Sequence, residues 1–236
     1  MEYSEIALQK VREDRLLINE VDQWLYEEIS PYMGQRVLEI GCGLGNFARH
    51  LSNRQLYIGT ETSRESIEHM QQLFGSHSNM KFSVADATAL SFLDFSREKI
   101  DTVFSLNVFE HIEDHEAALK NAREILQPGG NLILVVPAHM ALYGTMDLAI
   151  GHYRRYNKAM MADLMRQVGL QLTTQKYINA VGAFGWWLNA RVLHAETPPS
   201  NQLGLFNHIV PALKQIEKRV TIPFGISLLA VARRNN

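Results

Sequence analysis

The stretch Glu39-Ile40-Gly41-Cys42-Gly43-Leu44-Gly45-Asn46 decides how this chain is read. It sets three glycines on alternate positions directly behind a β-rich apolar run, residues 36–40, and ahead of a segment of helical period, residues 46–52. A strand that runs into glycines and then a helix is the general arrangement for a nucleotide-type cofactor, because glycine permits the tight turn and lets backbone approach a ligand. The dinucleotide fingerprint spaces its glycines G-x-G-x-x-G, and the third of those positions here is Asn46. Glu39, at the strand end, is expected to face whatever the loop binds. A carboxylate is unfavourable beside a pyrophosphate and favourable beside a cation. The loop therefore suits a nucleoside that is positive and carries no phosphate.

Outward from the loop, β-rich runs at residues 56–60, 81–85, 100–106 and 131–136 alternate with helical segments at 64–74 and 114–126. Gln127-Pro128-Gly129-Gly130 is expected to end the second of these helices. This alternation predicts an α/β fold with a mainly parallel sheet and helices on both faces. Beyond Pro137 a polar, aromatic loop runs to Tyr156, followed by a helix at 158–168 and a strand at 171–177. An irregular segment, 179–223, holds Trp186-Trp187, Pro198-Pro199 and a short amphipathic stretch at 208–219. A last strand is expected at 224–232, returning to the sheet. Upstream, residues 5–29 have helical period and charged faces, which predicts one or two helices packed on the core.

The 236 residues, 46% hydrophobic and 20% charged, suit one large domain. A net charge of -2 gives no global basic field, so no nucleic-acid partner is expected. The first residues lack the pattern of a secretory signal. The longest apolar stretches, 180–188 and 226–232, fall short of the roughly 20 residues a membrane span requires. A cytoplasmic location with no membrane span is the expectation. The single cysteine, Cys42, excludes an internal disulfide and a multi-cysteine metal site, and reads as a small packing residue.

Val37 to Phe47, VLEIGCGLGNF, resembles the first motif of the class I S-adenosylmethionine-dependent methyltransferases, an acidic residue followed by G-x-G-x-G. Further stretches agree in order: YIGTETS, FSVADAT, DTVFSLNVFEHIED and LQPGGNLILVVP. The resemblance implies a Rossmann-like, doubly wound, seven-stranded sheet whose last strand is antiparallel, with S-adenosylmethionine as cofactor and S-adenosylhomocysteine as product. It implies that Glu39, Gly41, Cys42, Gly43 and Gly45 form the cofactor loop. Glu61, beside Thr62, would accept from the ribose hydroxyls, Asp86 and Ala87 would meet the adenine, and Asn107 and Val108 would lie near the methionine portion. The alternative for any single acid is a helix cap or a solvated turn.

The segment from Pro137 to Leu170 resembles a bacterial subgroup in which LYG..D...GH.RRY precedes the sixth strand. In this fold the region beyond strands four and five lies over the carboxyl ends of the sheet, so it supplies substrate walls. Tyr143, Asp147, His152, Arg154, Arg155, Tyr156 and Trp186 are the substrate candidates. The arginine forks suit an acidic or phosphorylated small molecule; the alternative is that an arginine stacks on tyrosine or ties Asp147 to the loop. His111 and His152 are candidate general bases; the alternative for His111 is that it orders the loop or the cofactor pocket. His111 and His115 are four apart, but H-I-E-D-H is not the zincin order H-E-x-x-H, and no metal is expected. Trp186-Trp187 is read as core or subunit interface in preference to a membrane contact, and 179–223 as a cap or homodimer contact.

Together these imply one methyltransferase domain, with a helical extension at 1–33, a cofactor half at 34–136, substrate-side segments at 137–223 and a terminal strand and tail at 224–236. The expected activity is methyl transfer to an oxygen, nitrogen or carbon of a small molecule. The alternatives are a nicotinamide-dependent oxidoreductase and a non-catalytic S-adenosylmethionine-binding partner protein.

Overall fold

Runs of β-branched and aromatic residues fit a pleated, buried surface. In the computed structural model, which describes residues 19–197, 200–220 and 222–235, such runs build one seven-stranded sheet. Its strands are β1 (Arg36–Ile40), β2 (Leu56–Glu61), β3 (Met80–Val84), β4 (Ile100–Leu106), β5 (Leu126–Pro137), β6 (Leu170–Ile178) and β7 (Ser227–Arg234). Their order is β3-β2-β1-β4-β5-β7-β6. The pairings from β3 across to β5 are parallel, and β7 runs antiparallel to both its neighbours. The sheet is Rossmann-like with an antiparallel last strand. The strand order reverses between β1 and β4, so a crevice opens beyond their carboxyl ends.

Side chains alternate across each strand and sort the core into two layers. Val37, Phe104, Ile133 and Val231 pack with Trp24, Leu25 and Ile29 of α1 (Asn19–Ile29), Ile67 and Met70 of α2 (Arg64–Phe74), and Val210 of a long C-terminal helix. Leu38, Val103, Leu132 and Ala230 pack on the other face with α3 (His115–Ile125), and with Met161, Leu164 and Met165 of a later helix. That later helix is α5 (Lys158–Gln167), preceded by α4 (Thr145–Ala149), and the long C-terminal helix is α7 (Ser200–Glu217), preceded by α6 (Ala180–Trp187). Side-chain caps mark the starts: Ser63 accepts from Ser66 N, Asp114 from Ala117 N and Asn157 from Met160 N.

Three expectations are corrected. The helix expected at 46–52 is a turn and a 3-10 stretch, Ala48–His50. Its bonds run three residues back, Ala48 N to Gly45 O and Leu51 N to Ala48 O, and the burial of Phe47, Ala48 and Leu51 holds this tighter winding against the core. The helix before Gln127-Pro128-Gly129-Gly130 stops at Ile125 as expected, but the stretch itself lies inside β5, which starts at Leu126 and not at 131, as a bulge: Ile100 pairs with Leu126, yet Thr102 pairs with Asn131. Segment 179–223 is largely helical, with a π-helical turn, Leu188–Val192, continuing α6. Glycines and tryptophans conceal α6 from the sequence, but its first amides are satisfied from outside. Asn179 N and Ala180 N donate to the Glu217 carboxylate at 2.9 and 3.0 Å, and Asn179 Oδ1 caps Gly182 N at 2.7 Å. Pro198-Pro199 and the N-terminal part of the expected helical extension lie outside the described residues. Among the described residues, no helix is long and apolar enough to cross a membrane.

Candidate active site

The glycine loop leaves β1 at the crevice. Gly41, Gly43 and Gly45 all have positive φ, at +77°, +52° and +86°. Gly41 N and Cys42 N both donate to Thr60 O at 2.9 Å, which clamps the loop against the end of β2. A Cβ on Gly41 would stand 2.4 Å from Cγ2 of the short, branched Val108, so this glycine is needed by packing as well as by φ, whereas one on Gly45 would meet the flexible end of Met70, with Sδ 2.5 Å away. A Cβ on Gly43 would meet nothing within 4 Å. The middle glycine therefore opens onto space.

Glu61, at the end of β2, reaches across to that loop. Its Oε2 accepts from Gly43 N at 3.2 Å, and its Oε1 accepts from Thr62 N at 2.8 Å and Thr62 Oγ1 at 3.1 Å. An ionised carboxylate offers about four acceptor sites, which leaves capacity on Oε2. Asp86 is exposed beyond β3 and folds back on Thr88, accepting from its amide and hydroxyl at 2.8 Å each. Ala87 is buried, and its carbonyl takes Asn121 Nδ2 at 2.8 Å, fixing the β3 turn to α3. Asn107, at φ +53°, ends β4 and donates its amide to Val135 O at 2.8 Å. Val108 follows beside Gly41. The structure thus brings the glycine loop, Glu61, Asn107 and Val108 to one end of the sheet.

Glu39 differs from its expectation. It shares the buried face with Val37, is 3% exposed, and its Oε2 takes the Tyr57 hydroxyl hydrogen at 2.5 Å. Gly59, opposite Glu39 in register, makes room: a Cβ there would crowd Tyr57 Oη and Cys42 Sγ, each 3.1 Å away. Glu39 stands behind the loop, supporting it, and Tyr57 is a supporting residue the sequence did not single out. Cys42 is 5% exposed, and burial, then the charges of Glu39 and Glu61, push its thiol far above the ordinary range. It is an inert packing residue.

The substrate-side candidates meet one another. Asp147, fully buried on α4, is their hub. Its Oδ1 accepts from Arg155 Nε and contacts His152 Nδ1, both at 2.7 Å. Its Oδ2 accepts from Gly144 N at 3.0 Å and Trp186 Nε1 at 3.3 Å. Arg155, 1% exposed, also donates to Ala138 O at 3.1 Å and lies 4.8 Å from the Trp186 ring centroid. Tyr143 Oη donates to His152 O at 2.6 Å. Burial alone would raise the Asp147 carboxyl, but the His152 bond and the Arg155 charge outweigh it and hold the group below the usual carboxylate range. Arg154 donates to the carbonyls of Ile112 and Glu113 at 2.5 and 2.9 Å and lies 5.4 Å from the Tyr153 ring centroid. Tyr156 is buried, its hydroxyl donating to Phe109 O at 3.0 Å and contacting His115 Nδ1 at 2.9 Å. The two arginines therefore knit the segment to α4 and to the loop after β4.

Glu110 and His111 follow Val108 and Phe109, in the short 3-10 turn Phe109–His111. Glu110 is fully buried and its Oε1 lies 3.7 Å from His152 Nε2, a partner the sequence reading did not foresee. An acid inside the apolar run of FEHI was the available signal. The His111 ring stands edge-on to His152, centroids 4.6 Å apart. Part of the residue reaches solvent, yet burial of the ring, then the neighbouring His152, lower its pKa to about 4. His111 is neutral near pH 7 and offers a lone pair.

Comparison with known proteins shows the family and the fold. A family model described as a methyltransferase domain matches residues 12–175. The O-methyltransferase resE of Aspergillus sclerotiorum is 31% identical over 111 residues, 45% of this chain and 41% of that protein. Methyltransferase GfsG of Streptomyces halstedii is 27% identical over 128 residues, 52% of this chain and 44% of that protein. The chain thus spans less than half the length of these curated relatives. Among solved structures, an S-adenosylmethionine-dependent methyltransferase of Thermotoga maritima, a possible histamine N-methyltransferase, superposes with a TM-score of 0.63 at 17% identity, covering 97% of this chain and 96% of that one. That likeness is one of fold.

Proposed function

The chain belongs to the methyltransferase-domain family whose model spans residues 12–175, and from that premise we propose that it is an enzyme that transfers a methyl group from S-adenosylmethionine to a small molecule. The observation that carries the reading is the loop around Gly43, open above and bound below by Glu61 through Gly43 N. The fit is chemical. A phosphate-free nucleoside needs close backbone and a carboxylate that can accept ribose hydroxyls, and both stand here at one crevice. Glu61, Thr62 and the loop glycines would hold the nucleoside, with Asn107 and Val108 beside its amino-acid portion. Asp86 and Ala87 would flank the adenine.

The cofactor supplies a methyl group already activated by its sulfonium. What remains for the chain is to position an acceptor, exclude water and receive a proton where the acceptor is not already ionised. The acceptor bears an oxygen, nitrogen or carbon nucleophile, and the relative named as an O-methyltransferase favours oxygen. His152 has one ring nitrogen on Asp147 and is 6% exposed, whereas His111 has a solvent-reaching side and a lone pair. Of the two rings, His111 is the one an acceptor can reach. Within GHYRRY, recognition of an acidic acceptor falls to Arg154, because Arg155 is closed off on Asp147.

Calorimetric titration with S-adenosylmethionine tests the reading. Native protein is expected to bind one equivalent, and Glu61→Ala to lose roughly ten- to a hundredfold in affinity, the size of one or two hydrogen bonds to a charged acceptor. Glu61→Gln, which keeps one acceptor oxygen, should fall between them. A native chain that ignores S-adenosylmethionine and binds a nicotinamide dinucleotide would overturn the assignment.

A further inference from the structure

Asp147 accounts for only one nitrogen of His152. With Nδ1 at 2.7 Å from Asp147 Oδ1, the buried ring turns Nε2 toward Glu110 Oε1, at 3.7 Å. That separation is too long for a hydrogen bond. The His111 ring closes the third side, and one donor atom from each of Glu110, His111 and His152 lies within 4.8 Å of the other two. His152 thus has a carboxylate behind it, the outer-shell arrangement that fixes tautomer and ring orientation in metal-ligating histidines.

We infer that Glu110, His111 and His152 form a binding site for a single divalent transition-metal cation. Two imidazoles and one carboxylate suit zinc or manganese, and three protein donors leave coordination positions open. Donors about 2.1 Å from a cation stand about 3.4 Å apart in a tetrahedral arrangement, so the observed cluster closes on an ion through side-chain movement of about an ångström. Of the three donors, His111 is the one whose residue reaches solvent. Because Glu110 and His111 lie in the 3-10 turn that Val108 caps, the ion would stand beside the proposed methyl-transfer site, where it could hold an acceptor through oxygen. That role rests on the proposed function; the site itself does not.

The test uses the full chain, stripped with a chelator and titrated with zinc by calorimetry, then with cobalt(II) followed by visible absorption. One equivalent is expected, with cobalt ligand-field bands that appear on binding. His111→Ala, altered on its solvent-reaching side, and Glu110→Gln are each expected to weaken zinc at least tenfold and to change the cobalt spectrum. His115→Ala, whose ring contacts Tyr156, should bind as the native chain does. Thermal melts confirm that each variant is folded, and His111→Ala decides the matter if Glu110→Gln is not. The inference is overturned by no saturable uptake at one equivalent, or by uptake that is the same in His111→Ala as in the native chain. S-adenosylmethionine is titrated into the metal-free and metal-loaded samples alike: cofactor binding without zinc binding removes the cation site alone, and zinc binding without cofactor binding removes the methyltransferase reading alone.

Discussion

Asp147→Asn is expected to destabilise the protein by about 3–5 kcal/mol, the size of effect seen when one partner of a buried ion pair is removed. Converted for a domain of this length, the melting midpoint should fall by roughly 6–20 °C. The amide can still accept from Gly144 N, but it cannot neutralise Arg155, whose guanidinium is 1% exposed and has Ala138 O as its other partner. Once the carboxylate is gone, the guanidinium stays buried against the Trp186 ring without its ion-pair partner, and only the more distant charge of Glu110 opposes it. A double-mutant cycle isolates this cause. Arg155→Met removes the stranded charge and keeps an unbranched apolar stem, so Asp147→Asn with Arg155→Met should lose much less than the sum of the two single changes. Differential scanning calorimetry reads all four proteins. Additive losses would show that the charge pair is not what anchors the GHYRRY segment, and that packing of α4 alone carries the effect.

The same hub shows where sequence reasoning stopped. β1 and β4 have the limits expected from their apolar runs, and α2 the limits expected from its period, because apolar clustering and helical period are local signals. α6 was not legible because the acceptor for its first amides, Glu217, comes from a helix 37 and 38 residues away along the chain. β5 began early because a bulge absorbs Pro128 and two glycines that locally read as a stop. In both cases a partner distant in sequence, Glu217 for α6 and the β4 ladder for β5, decides what local composition does not.

The site divides in the same way. The loop glycines and Glu61 are legible because the residues that work together are near in sequence or stand at successive strand ends. In LYG..D...GH.RRY the residues were found but their direction was not. Spacing identifies Asp147, His152 and Arg155 as a group; it does not say that they face one another. An arginine fork in an aromatic segment fits an acidic ligand and an internal carboxylate equally well, and the buried carboxylate five residues before His152 is the one that contacts it. His152 lies 42 residues beyond Glu110, so no local motif could join them, and their approach at 3.7 Å needed the fold.

Gly41→Ala and Gly43→Ala are expected to separate the two uses of glycine in the loop. At Gly41, φ is +77° and an added methyl would lie 2.4 and 2.9 Å from the two Val108 methyls. The left-handed conformation costs about 1–2 kcal/mol and the overlap about 1–3 kcal/mol. The chain without cofactor should therefore melt well below the native protein, and affinity for S-adenosylmethionine should fall at least tenfold as loop and Val108 are pushed apart. At Gly43, φ is +52° and an added methyl meets no protein atom within 4 Å. Only the conformational cost applies, so this variant should melt roughly 2–8 °C below the native protein and above Gly41→Ala. If the space above Gly43 is where the nucleoside sits, its affinity should fall as steeply as that of Gly41→Ala. Adding Val108→Ala to Gly41→Ala relieves the overlap and leaves φ unchanged, so it should restore part of the melting loss and not all of it. Calorimetric binding and thermal melts on the same preparations read both quantities. Native cofactor affinity in Gly43→Ala would place the cofactor elsewhere, and a melting loss equal in the two single variants would mean that φ alone, without the Val108 contact, sets the requirement for glycine at this turn.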